Sequence, residues 1–145
     1  MKITIQDCSP EEEEEIIIRC RQVDEHLLKL IYSLKAGREK LTVSKGERIF
    51  QVQPSDVYYF EAVDNKVFAC MEKEVFDTKS KLYELEEQLK NTDFFRASKS
   101  TIINLARVKN ICPAFNGRFE VCMENGERLI VSRQYVPFLK NKLGL

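Results

Sequence analysis

The sequence predicts a mainly β (α+β) domain of antiparallel strands and short helices over residues 40–145, preceded by a β-plus-α extension at residues 1–39. Three observations predict it. From Lys40 onward apolar residues recur with a period of two, the spacing of half-buried strands rather than of helices. The alternating runs are short, and each ends at a turn signal. Two Asn-Gly pairs, Asn116-Gly117 and Asn125-Gly126, stand between alternating segments, where the two positive φ angles of a type I′ hairpin turn are tolerated.

In chain order, Lys2–Gln6 alternates and reads as a short strand. Ser9-Pro10 before Glu11–Glu15 reads either as a capped helical turn or as a solvated acidic loop. The β-branched run Ile16-Ile17-Ile18 makes Glu15–Cys20 a second strand. Val23, Leu27, Leu28, Ile31 and Leu34 fall on one side of an amphipathic helix, which Gly37 closes. Strands are then expected at Leu41–Val43, Arg48–Val52, Val57–Ala62, Val67–Met71 and Val75–Asp77. Their separators are Ser44-Lys45-Gly46, Pro54-Ser55, Asp64-Asn65 and Glu72-Lys73. Ser80–Leu89 is a helix with Leu82, Leu85 and Leu89 inward, Phe94-Phe95 is core, and Thr101–Leu105 is strand-like. The two Asn-Gly pairs divide strands at Val108–Phe115, Arg118–Met123 and Glu127–Val131. A short helix around Gln134–Lys142, anchored by Tyr135, Phe138 and Leu139, ends the chain.

Composition narrows the function. No apolar run reaches the length of a membrane span and no secretory signal opens the chain, so a cytoplasmic protein is expected. The five cysteines are scattered without a C-x-x-C pair, which reads as reduced thiols rather than disulfides or metal ligands. The sole His26 lies beside Glu25 with no nucleophile motif near it; there is no phosphate-binding loop and no metal-ligand cluster. Neither catalysis, a cofactor nor a small-molecule substrate is expected. The net charge is zero, but its distribution is uneven. Residues 1–35 carry five Lys/Arg against eight Asp/Glu, residues 36–89 eight against eleven, and residues 90–145 ten against four. That basic third is a nucleic-acid footprint only if its side chains project together, and otherwise a solvated face.

Five segments in order resemble the LytTR family of bacterial DNA-binding domains. They are Asp56–Ala62 with Asp64-Asn65-Lys66-Val67; Leu82–Leu89; Phe94–Leu105; Phe115-Asn116-Gly117-Arg118-Phe119; and Val131-Ser132-Arg133-Gln134-Tyr135. The family commonly has His where this chain has Ser98, and often Arg where it has Gln134, so base preferences are not copied across. The Ser-Lys-Ser form at 98–100 is similar to free-standing members that lack a receiver domain. The resemblance implies an elongated array of small antiparallel sheets whose loops enter successive major grooves of bent DNA. Double-stranded DNA with repeated half-sites is the implied partner, bound cooperatively or as a homodimer.

The loops suit such a role chemically. Lys66, Ser98, Lys99, Arg133 and Gln134 are expected at base edges, and Asn65, Arg96, Ser100 and Ser132 at the DNA backbone. Lys99 suits guanine O6 and N7, Gln134 suits adenine N6 and N7, and Arg96 and the serine hydroxyls suit phosphate oxygens. Ser132 stands in the capping position of the last helix, whose N-terminus favours phosphate. Each has a structural alternative: a plain hairpin turn for Asn65-Lys66, local capping for Ser98 and Ser100, and an exposed amide for Gln134. Leu27, Leu28, Ile31 and Leu34 make residues 1–39 a candidate dimerisation element. The competing reading is a β-rich protein-interaction module that does not bind DNA.

Overall fold

Short alternating segments joined by tight turns dictate hairpins, and the architecture is built from them. The computed structural model describes residues 2–38 and 40–145, the side chains of 36–38 excepted. Helix α1 (Glu25–Arg38) leads into β1 (Leu41–Lys45) and β2 (Arg48–Val52), then β3 (Tyr59–Val63), β4 (Lys66–Cys70) and β5 (Val75–Thr78). Helix α2 (Leu82–Gln88), β6 (Phe94–Ser98), β7 (Thr101–Asn104), β8 (Val108–Pro113), β9 (Phe119–Met123), β10 (Arg128–Val131) and α3 (Val136–Leu143) follow. A seven-stranded antiparallel sheet has the order β2-β1-β5-β4-β3-β7-β6, and a three-stranded one the order β10-β9-β8. This is the mainly β fold with antiparallel sheets and short helices that the sequence predicts.

Two cores sit on opposite faces of the larger sheet. Leu82, Leu85 and Leu89 pack against Phe60, Phe76, Phe94 and Ile102 on one face. Tyr58, Phe95, Ala97 and Ile103 meet Val121, Met123, Val131, Val136 and Leu139 on the other, joining the small sheet and α3 to β6 and β7. The Phe94-Phe95 pair is thus divided between two cores, because consecutive strand residues point to opposite faces. All four residues of β7 are buried for the same reason. Of its two polar residues, Thr101 and Asn104, the latter is the more deeply buried: its amide Nδ2 donates to the Val57 carbonyl at 2.8 Å, and its Oδ1 accepts from the Ala106 N–H at 3.1 Å. Arg107 ties the same region together. Its Nε donates to the Ser55 carbonyl at 2.9 Å, and its guanidinium reaches Asp56 and Glu124, each at 3.7 Å.

Several expectations need correction. Lys2–Gln6 and Glu15–Cys20 form no strands, since an alternating pattern needs a ladder partner and neither segment has one among the described residues. Ser9–Glu12 forms an isolated turn, with the Glu12 N–H donating to the Ser9 carbonyl. Helix α1 begins after Val23, where the Asp24 carboxylate accepts from the Leu27 N–H at 2.8 Å, and Gly37 lies inside it rather than closing it. Arg96–Ser98 belongs to a strand, not to a loop after the phenylalanines.

The Asn-Gly pairs also differ. Asn116 (φ 60°) and Gly117 (φ 72°) both take the left-handed conformation of a type I′ turn, with the Arg118 N–H on the Phe115 carbonyl. At the second pair only Gly126 has positive φ, 89°. The Asn125 side chain instead makes one long-range and one local bond: Nδ2 donates to the Glu72 carbonyl and Oδ1 accepts from the Glu127 N–H, each at 3.1 Å. The expected turn at Asp64-Asn65 is also of type I′, with φ 50° and 64°, between Val63 and Lys66.

Candidate nucleic-acid interface

Three turns and one strand exit meet at one end of the two sheets. In the larger sheet β3 lies beside β7, and the Ala62 N–H donates to the Ser100 carbonyl at 2.8 Å. This sets the Asp64-Asn65 turn beside the Lys99-Ser100 turn. On the other side of β6, the Ser132 N–H donates to the Ala97 carbonyl at 2.9 Å, which brings the end of β10 to the same place. The Asn116-Gly117 turn closes the group, because a Cβ at Gly117 would stand 3.2 Å from Arg133 Cδ. Asn65, Lys66, Lys99, Ser100, Arg118, Arg133 and Gln134 are all exposed there.

The Lys99 turn is braced from within. Arg96, only 17% exposed, donates from Nε to the Ser98 carbonyl at 2.7 Å and from Nη2 to the Lys99 carbonyl at 2.6 Å. Its Nη1 reaches Glu86 on α2 at 3.5 Å. Ser98 Oγ accepts from the Ser100 N–H at 3.2 Å and lies 3.4 Å from Ser100 Oγ. A β-bulge between Arg96 and Ser98 turns the tip and leaves the Lys99 side chain outward. Arg96 and Ser98 therefore shape the turn with the groups expected to reach DNA.

The last helix also departs from expectation. Arg133–Tyr135 is a 3-10 turn, and α3 begins only at Val136. The Ser132 hydroxyl caps nothing; it points back to the Ala97 carbonyl at 3.4 Å. The backbone bond from Ser132 to Ala97 fixes this exit, so its side chain faces β6 rather than the helix.

Three of the arginines are committed to ion pairs within the fold. Arg96, Arg107 and Arg128 form ion pairs with Glu86, with Asp56 and Glu124, and with Glu120. Among the described residues, Lys66, Lys99, Arg118 and Arg133 have no acidic side chain within 4.0 Å. These four cations lie on the clustered turns and the strand exit, where like charges persist because water and counterions solvate them. Sequence reasoning left Arg118 in a structural hairpin and gave no sign of Glu86, which lies ten residues from Arg96 on another element. Among the described residues no group of three or more His, Cys, Asp or Glu is placed to hold a metal ion.

Residues 47–144 match the family described as the LytTr DNA-binding domain. The chain belongs to the LytTR family. A LytTr DNA-binding domain from Bacillus cereus superposes on this LytTR chain with a TM-score of 0.71 at 32% identity, covering 75% of this chain and all of that one. The sensory transduction protein LytT of Enterococcus faecalis is 31% identical over 74% of this chain and 44% of its own length. LytT of Bacillus subtilis is 29% identical over 85% of this chain and 51% of its own. This chain thus spans about half the length of those relatives. An uncharacterized HTH-type transcriptional regulator of Staphylococcus aureus is 26% identical over the whole chain and 99% of its own length.

Proposed function

We propose that this LytTR protein is a cytoplasmic, sequence-specific bacterial transcription regulator that reads duplex DNA through the clustered turns in the major groove. The observation that carries it is the convergence of Lys66, Lys99, Arg118 and Arg133 at one end of the sheets, all exposed and free of ion pairs. Lys99, Arg118 and Arg133, three of the ten Lys/Arg of residues 90–145, project there beside Lys66. Lys66, Lys99, Arg133 and Gln134 extend from turns with no intramolecular partner for their polar ends, which suits base edges. Asn65, Ser100 and Arg118 lie at the margin of the same surface, where phosphate oxygens would run. Arg96, Ser98 and Ser132 serve this reading as positioning residues, with most of their donors committed within the fold.

Residues 40–145 form the DNA-binding unit in this reading, with residues 1–39 as an appended dimerisation element. On the expected apolar face of α1, Leu28 is exposed and Leu27, Ile31 and Leu34 are half-buried, which favours further burial against a second copy. Paired domains would then meet repeated half-sites. Light scattering at micromolar concentration should report a dimer; a monomer removes this part of the proposal.

DNA from the protein's own promoter region tests the central claim. Affinity should fall linearly on a log–log plot against salt, with a slope near 0.9 per phosphate neutralised. Failure to bind any genomic fragment at low salt would overturn the regulator reading and leave the protein-interaction module.

A further inference from the structure

The Asn116-Gly117 turn carries a large side chain that neither core uses. Phe115, which opens the turn, is 84% exposed and is the most exposed aromatic residue among those described. Strand parity accounts for its position. Ile111 packs against the core shared by the small sheet and α3, and Phe115 has the same parity four residues on. Strand β8 ends at Pro113, paired with Phe119, so the Phe115 ring overshoots that core into solvent. The Arg118 N–H donates to the Phe115 carbonyl and the Ala114 N–H to the Arg118 carbonyl, which closes the backbone of the turn. The turn itself makes no demand for an aromatic residue, because Asn116 and Gly117 fill its positive-φ positions.

The neighbours of the ring indicate what it meets. Arg118 lies three residues on, and the Arg133 side chain passes over Gly117. Both are exposed, and neither has an acidic side chain within 4.0 Å among the described residues. An apolar ring beside two uncompensated guanidinium groups suits a polyanion that also presents an apolar group. In the major groove only thymine does so, through its C5-methyl, and a Phe side chain can pack against it. Insertion between base steps belongs chiefly to minor-groove binding, the other groove from the one proposed here. We infer that Phe115 is a specificity determinant whose ring packs against the C5-methyl of a thymine next to the base pair read by Arg133. This rests on the proposed DNA-binding function and deepens it. The contact favours T·A over C·G at that position, since cytosine has no methyl group there.

Promoter DNA prepared with uracil in place of thymine is the probe, because uracil keeps every hydrogen bond and lacks only the methyl group. The full chain should bind the uracil fragment about fourfold more weakly than the thymine fragment, the worth of one buried methyl group. Phe115→Ala should bind the two fragments alike, so that the losses from ring and methyl do not add. Comparing fragments within one protein cancels any difference in active fraction. A parent chain indifferent to uracil overturns the inference. So does a Phe115→Ala variant that keeps the parent's preference for thymine. With reduced affinity, that result would assign the ring to sugars or to a wedge between base steps; with full affinity, to a protein partner. Each of these leaves the DNA-binding reading intact. Failure of the parent to bind either fragment at low salt would overturn that reading and the inference together.

Discussion

Lys99 and Arg96 stand three residues apart and carry the same charge, yet the structure gives them different work. Lys99 is exposed at the tip with no partner, so Lys99→Ala should weaken sequence-selective binding by about 1–3 kcal/mol, the worth of a base contact. Competition between promoter and unrelated DNA checks this, and equal loss on both would move the base reading elsewhere. Arg96 donates to the carbonyls of Ser98 and Lys99. Arg96→Ala should therefore lower affinity while leaving the salt slope unchanged, because no phosphate contact is lost. A slope reduced by nearly one would instead place Arg96 on the DNA backbone. Asn104 makes a third case. Replacing it by Ala strands the buried Val57 carbonyl and removes the partner of the Ala106 N–H, at a cost of about 1–3 kcal/mol by urea denaturation.

At the scale of elements, turns matter more than strands. The Arg133 side chain runs close over Gly117, where a Cβ would stand 3.2 Å from its Cδ. Gly117→Ala would add a Cβ at φ 72° and press it onto Arg133, costing about 1–2 kcal/mol of stability and weakening DNA binding. Gly126→Ala strains its turn similarly, with nothing within 4 Å of the added Cβ, so it should lower the melting temperature without touching affinity. The β3–β4 pair carries a different signature. Burial pushes the Cys70 thiol up to about 11, and also raises the Tyr59 hydroxyl opposite it. The unfolded chain then loses these protons first, so stability is full below about pH 9 and falls as pH rises toward 11. Urea midpoints between pH 8 and 11 should decline, and a Cys70→Ala variant should decline less steeply. In the native chain a thiol reagent should label exposed Cys8, Cys20 and Cys112 well before buried Cys70.

For the whole molecule, the two cores explain how one surface is assembled from distant segments. Phe94 faces α2, and Phe95 faces the small sheet and α3, so β6 and β7 are clamped from both sides. The Lys99 turn projects from that clamped pair, next to the Asp64-Asn65 turn and the Ser132 exit. Helix α1 packs near the 3-10 turn at Pro54–Asp56, at the opposite end of β3. The proposed dimer contact and the proposed DNA contact therefore need not compete.

Periodicity and turn chemistry alone determined most of the strands from Leu41 to Val131, because side-chain alternation and positive-φ residues are local properties. The ordered segments from Asp56 to Tyr135 likewise determined the family. Alternation failed at Lys2–Gln6 and β-branched density at Glu15–Cys20, where no neighbouring strand among the described residues completes the hydrogen bonds. Only the tertiary structure decided which polar residues are available to a partner. Arg96, Ser98 and Ser132 look as exposed in sequence as Lys99 does, but the Glu86 carboxylate and the backbone of Ala97, Ser98, Lys99 and Ser100 occupy their polar groups. Those partners lie on a helix and on strand backbone, and backbone donors and acceptors leave no trace in residue type.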